Sequence, residues 1–232
     1  MKIILAGATG YIGQELLTQC LAHPNITSVL ALTRREIDTK HPKLQNYIMS
    51  DSEWTTYSTP ALQAELRGAS GCLWTIGIVP GKARDDDLTR RVSVEFPKAA
   101  AEAFSRGFEK ERDSGEGGEK GKFRFVFVSG TAAIRDQSAR LWYWGGYRKL
   151  RGESENVLFR HEEGHPSTFE TYIMRPGPVP STSWSVRDTI AGLLGFVNVE
   201  VLSRAMIRLA LNGSQDGERT FYSAAMKQLG RN

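Results

Sequence analysis

Three glycines at every third position, directly behind an N-terminal apolar run, constrain this chain more than any other feature. The segment reads Lys2-Ile-Ile-Leu-Ala-Gly7-Ala-Thr9-Gly10-Tyr11-Ile12-Gly13, and apolar residues then recur at Leu16, Leu17 and Leu21. A continuous apolar run followed by helical periodicity is a buried strand, a tight turn and a helix. That arrangement sets backbone N–H groups and a helix N-terminus against a pyrophosphate, so dinucleotide binding is expected. Gly7 permits the turn, Gly10 lets the backbone approach the phosphates, and Gly13 lets the helix pack closely on the strand. The spacing is G-x-x-G-x-x-G rather than the dehydrogenase G-x-G-x-x-G.

Apolar segments alternate with helical patterns along the rest of the chain. Strands are predicted at Lys2–Ala6, Ser28–Thr33, Tyr47–Met49, Gly71–Ile76, Phe123–Ser129 and Thr171–Met174. Helices are predicted near Tyr11–Ala22, Ala61–Arg67, Leu88–Phe108, Tyr147–Phe159 and Glu200–Leu211, with a short strand around Thr220–Tyr222. This order predicts an α/β fold: a doubly wound, Rossmann-like parallel sheet with helices on both faces. At 232 residues and 40% apolar content, one domain over residues 1–232 can bury a continuous core. Residues from about 178 to 232 are expected to close the substrate side. The stretch 109–121 has no apolar residue between Glu109 and Gly121, and is expected to be a mobile loop.

Composition narrows the function classes. The formal charge is +4, with basic residues dispersed among acids, so no nucleic-acid partner is expected. Lys120-Gly-Lys-Phe-Arg-Phe-Val-Phe lacks the aromatic spacing of an RNA-binding strand and reads as a buried strand with a basic start. The most apolar long stretch, Thr189 to Leu202, is too short and polar for a bilayer, and Met1 leads straight into a strand, so no leader or membrane is expected. Two cysteines, Cys20 and Cys72, both in apolar-periodic segments, point to a reducing, cytoplasmic setting. Oligomeric state is not encoded in any pattern here.

Cofactor choice is read at the end of the second strand, Thr33-Arg34-Arg35. An acid there accepts hydrogen bonds from a ribose 2′-hydroxyl and repels a 2′-phosphate. The first acid is Glu36, behind two guanidinium groups that suit a phosphate, so NADP(H) is expected.

Taken together, these residues resemble the short-chain dehydrogenase/reductases, in the extended and atypical branch that begins Gly-Ala-Thr-Gly-x-x-Gly. The similarity runs nearly the whole chain and is nearest to the Tat-interacting-protein-like atypical reductases. It places Thr75-Ile76-Gly77 where the fourth strand lines the cofactor. It places Ser129-Gly130-Thr131 where the family keeps its catalytic hydroxyl, and Arg175-Pro176-Gly177 at the turn beside the nicotinamide. Tyr147 matches the family's acid–base tyrosine in Tyr147-Arg-Lys-Leu-Arg151-Gly-Glu-Ser-Glu155, against Tyr-x-x-x-Lys-Gly-Glu-x-Glu. The resemblance implies a reductase or dehydrogenase of a small carbonyl or alcohol, with an epimerase or a non-catalytic NADP(H) sensor as alternatives. Arg151 stands in place of the lysine. It keeps the charge that favours a tyrosinate and the helical spacing that shares its face, but it is planar and bulkier. Lys149, two residues from Tyr147, points elsewhere. Ser129 is the preferred substrate-orienting hydroxyl over Thr131.

Other signals carry less. Leu141-Trp142-Tyr143-Trp144 reads equally as a pocket wall or as core packing, and Tyr143 has no charged partner four residues on. His161-Glu-Glu-Gly-His165 satisfies a zinc-protease string, but Gly164 and Pro166 oppose the helix it requires, so no metal is expected. Asp85-Asp86-Asp87 is expected to open a helix at its positive end.

Overall fold

A computed structural model describes residues 1–78, 86–114, 121–179 and 196–231. The elements run β1 (Lys2–Ala6), α1 (Tyr11–Ala22), β2 (Ser28–Thr33), β3 (Leu44–Ile48), α2 (Glu53–Thr56), α3 (Pro60–Leu66) and β4 (Ala69–Trp74). They continue with α4 (Asp86–Arg90), a π-helical turn (Arg91–Glu95), α5 (Phe96–Asp113), β5 (Phe123–Val128), α6 (Gly145–Gly164) and β6 (Phe169–Arg175). The C-terminal part holds α7 (Val199–Asn212), β7 (Thr220–Tyr222) and α8 (Ser223–Leu229).

The strands form one sheet in the order β3-β2-β1-β4-β5-β6-β7, every pairing parallel. Chain direction across the sheet reverses between β1 and β4, and the C-terminal ends of those strands open the crevice where α/β proteins bind ligands. Strand residues alternate between two cores. Ile3 and Leu5 face α1 and α7, packing with Leu16, Leu202 and Met206. Ile4 and Ala6 face the other side, where Phe123, Phe125 and Phe127 meet Phe104, Phe108 and Phe169. Burial on both faces is why the strands read as unbroken apolar runs rather than alternating ones.

The predicted elements hold, with shifts that have physical reasons. β3 begins at Leu44, earlier than Tyr47, because it is an edge strand whose exposed Gln45 and Ile48 dilute the apolar pattern. The short α2 and α8 carried too few periodic residues to register. The loop expected over 109–121 is corrected in its first part, since α5 continues to Asp113. Charged side chains there make long-range ties: Glu109 accepts from the Thr168 hydroxyl (2.6 Å) and Glu111 from the Gly68 N–H (2.7 Å). Residues 115–120 lie outside the described residues, as does Asp85, while Asp86 and Asp87 form the first turn of α4. Of the part expected to close the substrate side, residues 180–195 lie outside the described residues. Among the described ones α7 is buried in the core beside α1, and the start of α8 meets the turn after β6, where the Gly177 N–H donates to the Ser223 hydroxyl. Among the described residues no helix is long and apolar enough to cross a membrane.

Candidate active site

At the end of β1, Gly7 has φ +95°, a conformation that side chains resist. A Cβ on Gly7 would stand 2.4 Å from Thr75 Oγ1, and one on Gly13 only 2.0 Å from the Gly7 carbonyl oxygen. The Thr75 hydroxyl donates to the carbonyls of Ala6 (3.0 Å) and Gly7 (3.3 Å), so the two expected segments, Gly7–Gly13 and Thr75–Gly77, meet at the switch point. Gly10 differs. Its Cβ would meet only the Gly7 carbonyl at 3.4 Å, an ordinary contact, and it caps α1 with extended backbone and no side chain. The fold itself does not require glycine there.

Beyond β2, Thr33 is buried and works inside the protein. Its hydroxyl donates to the Arg35 carbonyl (2.7 Å) and accepts from Asn46 Nδ2 (2.7 Å), while Asn46 Oδ1 takes the Ile37 N–H (2.8 Å). The turn carrying Arg34 and Arg35 is thus fixed from below, and both guanidinium groups are exposed with no carboxylate partner among the described residues. Asn46 was missed by sequence reasoning. Its only signal was an amide in a strand.

Helix α6 explains the Arg151–Glu155 motif residue by residue. Arg151 is 5% exposed, donates from Nη2 to the Val128 carbonyl (2.5 Å), and lies over the Phe127 ring at 5.3 Å. A Cβ on Gly77 would sit 3.0 Å from Arg151 Nη1, so the bare Gly77 backbone faces the guanidinium. Gly152 presses against the 131–139 loop, where a Cβ would overlap the Ile134 carbonyl at 1.8 Å. Glu153 takes a two-pronged bond from Arg90 (2.5 and 2.8 Å). Ser154 donates to the Ser93 carbonyl in the π-helical turn (2.6 Å). Glu155 is wholly buried and binds the Ser129 hydroxyl, Arg135 Nε, and Arg175 Nε and Nη2 at 2.5–2.9 Å.

The expected hydroxyl pair is therefore split. Ser129 donates inward to Glu155, while Thr131 is exposed on a loop held by its N–H to the Pro176 carbonyl (3.0 Å). Tyr147 is half-buried one turn before Arg151. Gly177 adjoins the Ser223 hydroxyl (3.3 Å), and Arg175 Nη1 donates to the Tyr222 hydroxyl (2.9 Å). Burial pulls the Arg151 guanidinium below its ordinary value, partly offset by Tyr147 and Glu155. Burial also opposes the charge on Arg175, yet the bonds and charge of Glu155 outweigh it and raise the net value.

The structure places two further sequence signals. Trp142, Tyr143 and Trp144 are all exposed, so core packing is ruled out for them. Tyr143 stacks on Trp144 at 4.8 Å instead. Helix α6 ends at Gly164 and His165 lies beyond it in non-helical backbone; the His161 and His165 rings still stack at 4.4 Å, and His161 Nε2 is engaged by the Ser105 hydroxyl at 2.8 Å.

This sheet order, with a glycine turn at the switch point and a tyrosine–arginine helix beside it, defines a Rossmann-like α/β fold. The chain shares its fold with short-chain dehydrogenase/reductases of known structure, and it belongs to one family with a fungal biosynthesis-cluster protein. It is 30% identical over 207 residues to the leucinostatins biosynthesis cluster protein T of Purpureocillium lilacinum, covering 82% of this chain and 68% of that one. It is 26% identical over 208 residues to the protein fmp52-1, mitochondrial, of Aspergillus terreus, covering 85% and 77%. Yeast methylglyoxal/isovaleraldehyde reductase Gre2, complexed with NADPH, superposes with a TM-score of 0.70 over 96% of this chain and 77% of its own, at 14% identity. MoeE5, in complex with UDP-glucose and NAD, gives a TM-score of 0.65 over 96% and 75%, at 15% identity. No family model matches the chain.

Proposed function

We propose that the protein is an oxidoreductase that binds a nicotinamide dinucleotide, prefers NADP(H), and acts on the carbonyl or alcohol of a small organic substrate. The observation that carries this reading is the meeting of three features at one sheet edge. These are the Gly7–Gly13 turn, the Arg151 guanidinium against bare Gly77, and Tyr147 one turn earlier on α6. Gly10 and the first turn of α1 suit the pyrophosphate, and unpaired Arg34 and Arg35 suit a ribose 2′-phosphate. Gre2 was solved with NADPH and MoeE5 with NAD, so the phosphate preference rests on the arginines rather than on the neighbours.

The nicotinamide, when bound, supplies or takes the hydride. Tyr147 passes a proton to or from the substrate oxygen, and the Arg151 charge favours its phenolate. Arg151 also offers donors to the ribose. Thr131, exposed on its loop and with no side-chain hydrogen bond among the described residues, steadies the substrate oxygen as charge develops there. Tyr147→Phe should preserve fold and NADPH affinity while cutting turnover by roughly 10²–10⁴. Undiminished turnover would remove Tyr147 as the acid. The inward bond of Ser129 favours a second reading, an NADP(H)-binding sensor without turnover. Cofactor binding by calorimetry with no activity across a carbonyl panel would establish that reading instead.

A further inference from the structure

We infer that Arg151 is the receptor for a carboxylate on the substrate, so that the reaction acts on a short oxo acid or its hydroxy acid. This rests on the oxidoreductase reading and specifies its substrate class.

Arg151 is nine-tenths buried yet has no carboxylate partner among the described residues. Among the described residues its Nη2 donates to the Val128 carbonyl and its buried Nε meets no acceptor. A guanidinium withdrawn from water needs an anion or a full set of acceptors, and one carbonyl supplies neither. The nearest carboxylate on its own helix, Glu155, is already taken by Arg135, Arg175 and Ser129. Two guanidinium groups thus share one carboxylate, while among the described residues Arg151 goes without.

Nη1 stands 3.0 Å from where a Cβ on Gly77 would lie, and Gly77 itself is exposed, so only bare backbone separates this edge of the guanidinium from the surface. The planar fork suits a carboxylate through two parallel bonds, which a lysine at this position lacks. Residues four apart on a helix stand about 5–6 Å from each other. An anion on Arg151 therefore places its neighbouring carbonyl near Tyr147, as a 2-oxo or 3-oxo acid requires.

The test uses oxamate, an unreactive oxo-acid analogue, against its neutral counterpart oxamide, each titrated calorimetrically with and without saturating NADP⁺. Oxamate should bind at least tenfold more tightly than oxamide, and Arg151→Met should erase the difference. Arg151→Lys should keep the charge attraction but lose part of the preference. Equal binding of the two probes, or no oxamate binding in either condition, would overturn the proposal. So would a preference retained in Arg151→Met. Thermal unfolding of each variant separates lost binding from lost fold. Failure of the oxidoreductase reading shows separately, as absent NADPH binding or absent turnover, while the oxamate–oxamide ratio still reports on Arg151.

Discussion

The Ser129 hydroxyl donates to Glu155 Oε1 at 2.5 Å, in a pocket closed to solvent. A serine so placed has spent its proton. While that bond stands it cannot donate to a substrate carbonyl, so the proposed function gives the donor's role to Thr131. Ser129→Ala is expected to change kcat less than about threefold, whereas Thr131→Val lowers it by 10-fold or more, in line with the loss of one donor to a developing oxyanion. Steady-state kinetics on both variants decides, and the reverse order would restore Ser129.

Arg34 and Arg35 sit on a turn that Thr33 and Asn46 hold from beneath. NADPH should bind at least tenfold more tightly than NADH, a difference of about 1.4 kcal/mol. Arg34→Ala should weaken NADPH while leaving NADH nearly unchanged. Equal affinities by calorimetry would show that these arginines do not meet the cofactor.

Gly152 brings α6 onto the 131–139 loop at a distance no Cβ allows. Gly152→Ala forces the helix and loop apart and should cost about 3 kcal/mol or more, the upper end of overpacking. For a chain of this size that lowers Tm by roughly 6–12 °C. Because the same displacement moves Arg151 and Glu155, cofactor affinity should fall as well. An unaltered Tm would mean the loop yields freely.

His161 is held neutral: burial, then the neighbouring His165, bring it from 6.5 down to about 4. Between those values the unfolded chain binds a proton that the folded chain refuses, so stability is full above about pH 6.5 and declines as pH falls toward 4. Denaturant midpoints measured across that window should slope downward with acid. In His161→Gln part of the slope should vanish, and an identical slope would assign it to other groups.

The N-terminal strand–turn–helix, the alternation of strands and helices, and the Tyr147–Glu155 motif were legible because each is local. Apolar periodicity sets elements, and glycine spacing sets a turn, whatever lies elsewhere in the chain. β1, α1, β2 and β7 fall where the sequence places them. The charged end of α5 was not legible, since Glu109 and Glu111 find their partners at Thr168 and Gly68, far along the chain. The same holds for Ser129 and Arg151. By sequence one is a catalytic hydroxyl and the other a stand-in for lysine. Only the packing of β5, β6 and α6 determined that Glu155 would claim the serine and two arginines, leaving Arg151 buried beside Gly77 with no carboxylate partner among the described residues. The chain specifies which groups are present through local pattern. Which of them are satisfied, and which are left to meet a ligand, depends on partners brought together from distant segments.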